Sequence, residues 1–124
     1  MDQERYTRGI ENLRAIDGEG GKKVIDSLKD IAPDLGRYIV EFAFGDIYSR
    51  EGLTLKEPEL ITISALTAQG GCEAQLHVHI NAGLNVGLTP LQITETMLQC
   101  VPYTGFPRVL NAVNVAKRVF QEQH

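Results

Sequence analysis

Glu59-Leu60-Ile61-Thr62-Ile63-Ser64-Ala65-Leu66-Thr67-Ala68-Gln69-Gly70-Gly71-Cys72-Glu73-Ala74-Gln75-Leu76-His77-Val78-His79 decides how this chain is read. Gly70-Gly71 divides it, because paired glycines end a helix and let the backbone turn sharply. Val, Ile and Thr are frequent enough in 61–67 to suit a strand. The length of the run and the cap signals at its start favour a helix instead. Thr54 and Glu57 have the spacing of a capping box, and Pro58 allows the start to slip a few residues toward it. Leu60, Ile61, Ser64, Ala65 and Ala68 mark the first helix, and a second runs from about Cys72 to Leu84. The expectation is a helical hairpin at the centre of the chain.

Working outward, helical periodicity continues in both directions. Tyr6, Ile10, Leu13 and Ile16 form one apolar stripe, interrupted by Gly18-Glu19-Gly20-Gly21. Val24, Leu28 and Ile31 form another, stopped by Pro33. A third runs from Asp34, read as an N-cap, through Leu35, Tyr38, Ile39 and Phe42 to Ile47. Beyond the hairpin, Gly87 is a stop, and Thr89-Pro90-Leu91-Gln92 repeats the cap logic with Pro at the first helical position. Ile93, Met97 and Leu98 carry that helix up to Pro102. After the turn 103–107, Val109, Val113, Ala116 and Phe120 define the last one. Without a linker, repeat or low-complexity tract, residues 1–124 read as a single all-α domain.

Composition narrows the functional classes. The chain has 124 residues, 43% of them hydrophobic, no Trp and few aromatics, so its packing rests on Leu, Ile, Val and Ala. A net charge of −4 and the lack of a basic run argue against nucleic acid as a partner. No stretch approaches the roughly 20 apolar residues that span a bilayer, which argues against a membrane role. The opening Met1-Asp2-Gln3-Glu4-Arg5 lacks the apolar region of a signal peptide, so a cytoplasmic location is expected. There, Cys72 and Cys100 are expected as free thiols.

The segment 72–79 holds the densest set of reactive side chains. On a helix, 72, 75, 76 and 79 share a face, which would turn Cys72, Gln75 and His79 toward one pocket. His77 lies about 160° from His79, so the two cannot share a site within one subunit. No metal is expected, because helical chelation wants His-x-x-x-His and the sequence has none. From spacing alone, His79 reads as a core or interface histidine with a satisfied hydrogen bond. Glu59 opens the first helix of the hairpin, and the turn at Gly70-Gly71 would carry it back toward His79. A carboxylate beside an imidazole raises the imidazole pKa and fixes its tautomer, as acid–base work requires. A solvated carboxylate in a first helical turn is an equally good reading of Glu59.

Several ordered blocks then resemble the carboxymuconolactone decarboxylase family, within the alkylhydroperoxidase D-like superfamily. Glu41-Phe42-Ala43-Phe44-Gly45-Asp46-Ile47-Tyr48-Ser49-Arg50-Glu51-Gly52-Leu53 looks like the block before its central hairpin. Gln75-Leu76-His77-Val78-His79 resembles its Glu-Leu-x-x-His. Gly87-Leu88-Thr89-Pro90, Ile93 and Tyr103-x-Gly105-x-Pro107 continue in the same order. The resemblance covers roughly residues 5–120. It implies an alkylhydroperoxidase D-like helical fold in a homo-oligomer, a hexamer or trimer, with sites near subunit contacts. It also implies cofactor-free decarboxylation of 4-carboxymuconolactone, or a related lactone acid, to 3-oxoadipate enol-lactone, as in aromatic degradation.

Under that resemblance His79 is the general acid or oxyanion donor and Glu59 its orienting partner. Arg50, Tyr103 and Gln75 are candidates for binding the small-molecule substrate. The chain departs from the family in having Gln75 for the usual Glu and Pro58 where Arg is frequent. Cys72 matches the first cysteine of the superfamily's peroxidase Cys-x-x-Cys-x-x-x-His pattern, but Gln75 takes the place of the second. A dithiol relay needs a resolving thiol. The thiol-dependent peroxidase alternative therefore rests on Cys72 alone, and a non-catalytic small-molecule-binding oligomer is the second alternative.

Overall fold

The computed structural model describes residues 3–123, and every regular element among them is helical. Met1 and Asp2, where the charged opening begins, lie outside the described residues. The chain divides into two compact units, Met1–Leu55 and Lys56–His124.

In the first unit α1 spans Gln3–Ser27, and α2, Pro33–Tyr38, runs directly into a π-helical segment, Ile39–Ile47. The interruption expected at Gly18 is present: its non-helical backbone, φ 58° and ψ −136°, kinks α1 into two helical stretches. Pro33 opens α2 instead of ending what precedes it, with Ala32 as N-cap. Asp34 is therefore not the cap; it lies in the first turn and pairs with Arg37 at 3.0 Å. Leu13 and Ile16 of α1 are buried, as are Val40 and Phe44 of the π segment. Side chains of α1 also hold the wide helix at its end. Asn12 Nδ2 donates to the Phe44 carbonyl at 2.6 Å and Arg8 Nε to that of Gly45 at 2.7 Å. Those carbonyls would otherwise be orphaned at a helix C-terminus.

The second unit holds α3 (Lys56–Gln69), α4 (Glu73–Asn85), α5 (Pro90–Thr104) and α6 (Phe106–Glu122). The central hairpin is α3 and α4, joined through Gly70 and Gly71 at φ 71° and 70°. Residues with a Cβ rarely adopt that backbone, so the paired glycines are what turn the chain. The core of this unit is formed by Ile63, Leu76, Ile80, Leu88, Ile93, Met97, Val109 and Val119, with smaller residues between them. The buried face of α3 is Glu59, Ile63 and Thr67, three positions four residues apart. Of the expected apolar set, Leu60 is partly buried against this core, whereas Ile61, Ser64, Ala65 and Ala68 line an open groove on the other side of α3. The cap expected at Thr89 forms in full: Thr89 Oγ1 accepts from the Gln92 amide, and Gln92 Oε1 from the Thr89 amide. α5 continues through Pro102 to Thr104, because a proline one turn from the end removes only one hydrogen bond while Met97 anchors the helix in the core. The expected turn at 103–107 shrinks to Gly105 alone.

Candidate active site

Glu59 and His79 meet across the hairpin, with His79 Nδ1 3.2 Å from Glu59 Oε1. Glu59 is 0% exposed and the His79 side chain 20%, so the carboxylate is buried and the ring reaches partly to the surface. Burying a carboxylate is costly unless its oxygens are hydrogen-bonded, so its position at the start of α3 requires a partner there. The helix start itself favours negative charge. With Glu59 ionised, its oxygens only accept, which would put the proton on Nδ1 and, in a neutral ring, the lone pair on Nε2. The contact thus holds the ring in one orientation and bears on its tautomer.

The other sequence-derived candidates lie elsewhere. Cys72 is the N-cap of α4 rather than a member of its helical face, and its Sγ donates to the Gly70 carbonyl at 3.2 Å. Gln75 is exposed one turn before His79. Tyr103, 83% exposed, lines an open groove of about 730 Å³ between α3 and α5. Ser64 and Ala68 of that groove stand about 140° and 180° round α3 from Glu59. The groove therefore opens on the opposite side of α3 from the Glu59–His79 pair. Arg50 is exposed, in the first unit.

His77 turns away from His79, as their spacing requires, and its Nε2 pairs with Glu122 Oε1 at 2.7 Å. Both cysteines are free. Among the described residues no three or more His, Cys, Asp or Glu side chains are grouped to hold a metal ion, and no helix is long and apolar enough to cross a membrane.

Sequence comparison places this geometry. The profile of the carboxymuconolactone decarboxylase family matches residues 33–118, well over half of the chain. The chain belongs to the carboxymuconolactone decarboxylase family. A 4-carboxymuconolactone decarboxylase of Acinetobacter baylyi is 34% identical, over 98% of this chain and 90% of its own length. An uncharacterized 15.0 kDa protein of the nqo9-nqo10 intergenic region of Paracoccus denitrificans is 30% identical over 98% of this chain and 91% of its own. A nitrosuccinic acid decarboxylase of Metarhizium robertsii is 30% identical over 68% of this chain and 58% of its own. Two of these family relatives thus carry decarboxylase names with different acids as substrates. The family match spans the central hairpin, and with it both Glu59 and His79.

The polarity of the buried face of α3 was not visible to a search for apolar periodicity, since two of its three members are Glu59 and Thr67. A second buried carboxylate, Glu41 on the π segment, was also missed. It sits inside an otherwise apolar run, with Arg37 Nε 3.5 Å away. The i,i+4 spacing of 37 and 41 was the available signal.

Proposed function

We propose that this chain is a cofactor-free decarboxylase of a lactone acid, with 4-carboxymuconolactone as the first substrate to test. The observation that carries this reading is the buried Glu59 held against His79 Nδ1 in a family whose named relatives decarboxylate organic acids. When the carboxylate on the lactone ring leaves as CO2, its bonding electron pair moves through the ring alkene onto the lactone carbonyl. The resulting dienolate is then protonated on carbon, giving the enol-lactone. The protein has to lower the energy of charge developing on that oxygen and to supply the proton. His79 does one or both through Nε2, while Glu59 holds the ring in place and balances the charge of an imidazolium. Desolvation of Glu59 strengthens this interaction relative to water.

Gln75 and Arg50 are assigned to substrate binding rather than proton transfer; Tyr103, on the opposite side of α3 from His79, can join them only from a neighbouring copy. Arg50 supplies a planar pair of donors suited to a carboxylate. Gln75, where the family has Glu, keeps a polar contact and removes a negative charge. It is the position we assign to a difference in substrate among lactone acids. We also assign a homo-oligomer, a hexamer or trimer, supported by large apolar side chains that the second unit leaves exposed, including Ile61, Leu98, Phe106 and Leu110. The family match runs through both compact units, which supports reading 1–124 as one domain.

Incubation of purified protein with 4-carboxymuconolactone, followed by loss of lactone absorbance and by CO2 release, tests the assignment. Turnover that falls about 10²- to 10⁴-fold in His79→Ala is the expected result. Absence of any substrate loss at high enzyme concentration removes this substrate, and unchanged turnover in His79→Ala removes the mechanism. Thiol chemistry is the runner-up, favoured by a partly exposed Cys72 at the start of α4. Peroxide reduction that persists in full in Cys72→Ser would eliminate it.

A further inference from the structure

The bend of α1 opens a second, smaller site. Gly18, at φ 58° and ψ −136°, adopts a backbone that side chains beyond glycine resist, and it lies between Arg14 and Lys22. In a straight helix those positions stand about 12 Å apart along the axis. With the bend between them, both line one partly enclosed cleft of about 180 Å³. Its apolar lining is Ile10, Leu13 and Ile25, and Leu13 is almost completely buried. Tyr6, Asp26 and Lys29 complete it.

Charge selects the occupant. Three cations and one carboxylate line the cleft in a chain whose net charge is −4. Lys29 is already committed to Asp26 at 2.9 Å. Neither Arg14 nor Lys22 has an ion-pair partner among the described residues. Two uncommitted cations beside an apolar lining suit a molecule with an anionic end and an apolar body. A bare inorganic anion would leave the apolar lining unused, and the volume limits the body to about one ring. Arg14 offers paired donors to a carboxylate, and Lys22 offers a point charge.

We propose that this cleft is a binding site for a small organic carboxylate, whose charge meets Arg14 and Lys22 and whose apolar body rests on Ile10, Leu13 and Ile25. All of these residues belong to the Met1–Leu55 unit, and none is among the proposed catalytic or substrate-binding residues. The site therefore stands or falls separately from the decarboxylase assignment.

Sodium benzoate is the probe, followed by 1H–15N correlation spectra of the full-length protein. Sodium chloride at equal ionic strength and neutral benzamide are the controls. Saturable shifts centred on the amides of Gly18, Lys22 and Ile25 are expected, with a Kd in the millimolar range or tighter. Benzamide should bind at least about tenfold more weakly, as should benzoate to the Arg14→Gln/Lys22→Gln double variant. His79→Ala should leave these shifts unchanged, which separates this cleft from the active site. Shifts confined to 59–79, an equal response to benzamide, or full affinity in the double variant would each overturn the proposal. Should the double variant fail to fold, the comparison of benzoate with benzamide on the unaltered protein still decides.

Discussion

Glu59 carries two constraints that a surface carboxylate would not. It has no exposure to water, and one of its oxygens faces His79 Nδ1. Removing its charge while keeping its shape isolates the second constraint. Glu59→Gln retains an acceptor for Nδ1–H but cannot balance an imidazolium. We expect kcat to fall about tenfold to hundredfold, less than in His79→Ala, with KM little changed. Steady-state kinetics on both variants, with circular dichroism to verify folding, measure this. A Glu59→Gln enzyme with unaltered kcat would reduce Glu59 to a packing residue. Cys72 shows how a residue's local setting escapes sequence spacing. Positions 72, 75 and 79 share a face only if all three are helical. Cys72 instead takes the N-cap backbone, φ −122° and ψ 38°, and its thiol turns back to Gly70.

At the level of elements, features encoded within a few residues were legible. The Gly70-Gly71 turn, the Thr89–Gln92 box and the central hairpin all follow from short-range backbone chemistry, and the structure has each of them. The features that escaped depend on partners distant in the chain. Apolar periodicity on α3 marks Leu60, which packs against the core, but not Glu59 and Thr67, which are buried by tertiary contacts with His79 and the core. The π segment is maintained by Asn12 and Arg8, more than thirty positions earlier, and no local pattern in 39–47 announces them. Asp46, in the same segment, adds an ion pair whose effect depends on pH. The hydrogen bond from Arg5, at 2.7 Å, and then the charges of Arg5 and Arg8 hold its carboxyl below its ordinary value, against an opposing desolvation effect. A group with a depressed folded pKa contributes stability that is fully present above its unfolded value, about 4. That contribution is lost as pH falls through the lower folded value. In urea titrations Asp46→Asn should therefore be less stable than the unaltered protein at pH 7, and the difference should shrink on acidification below about pH 4. A difference independent of pH would mean that Asp46 acts by shape alone.

On the scale of the whole molecule, the second unit leaves several large apolar side chains exposed. Ile61 is 57% exposed, Phe106 76% and Leu110 61%, and Ile61 and Tyr103 line the open groove between α3 and α5. Scattered apolar residues are ordinary on a protein surface, but an open apolar groove lined by exposed large side chains such as Ile61 and Tyr103 is characteristic of an interface. A stable association needs about 800 Å² from each partner, and large aliphatic and aromatic side chains supply such area efficiently. If copies of this chain cover the exposed apolar side chains of this unit, charging two of them should separate the copies without disturbing the core, because Ile61 and Leu98 lie outside it. The Ile61→Lys/Leu98→Lys variant is expected to sediment at lower mass than the unaltered protein at micromolar concentration, with the same helical content. Its decarboxylase activity then discriminates further. A site completed by a neighbouring copy loses turnover as the assembly dissociates, whereas a site complete on one chain keeps it. An unaltered protein that sediments as a monomer of 13.7 kDa at the highest attainable concentration would refute the assembly outright.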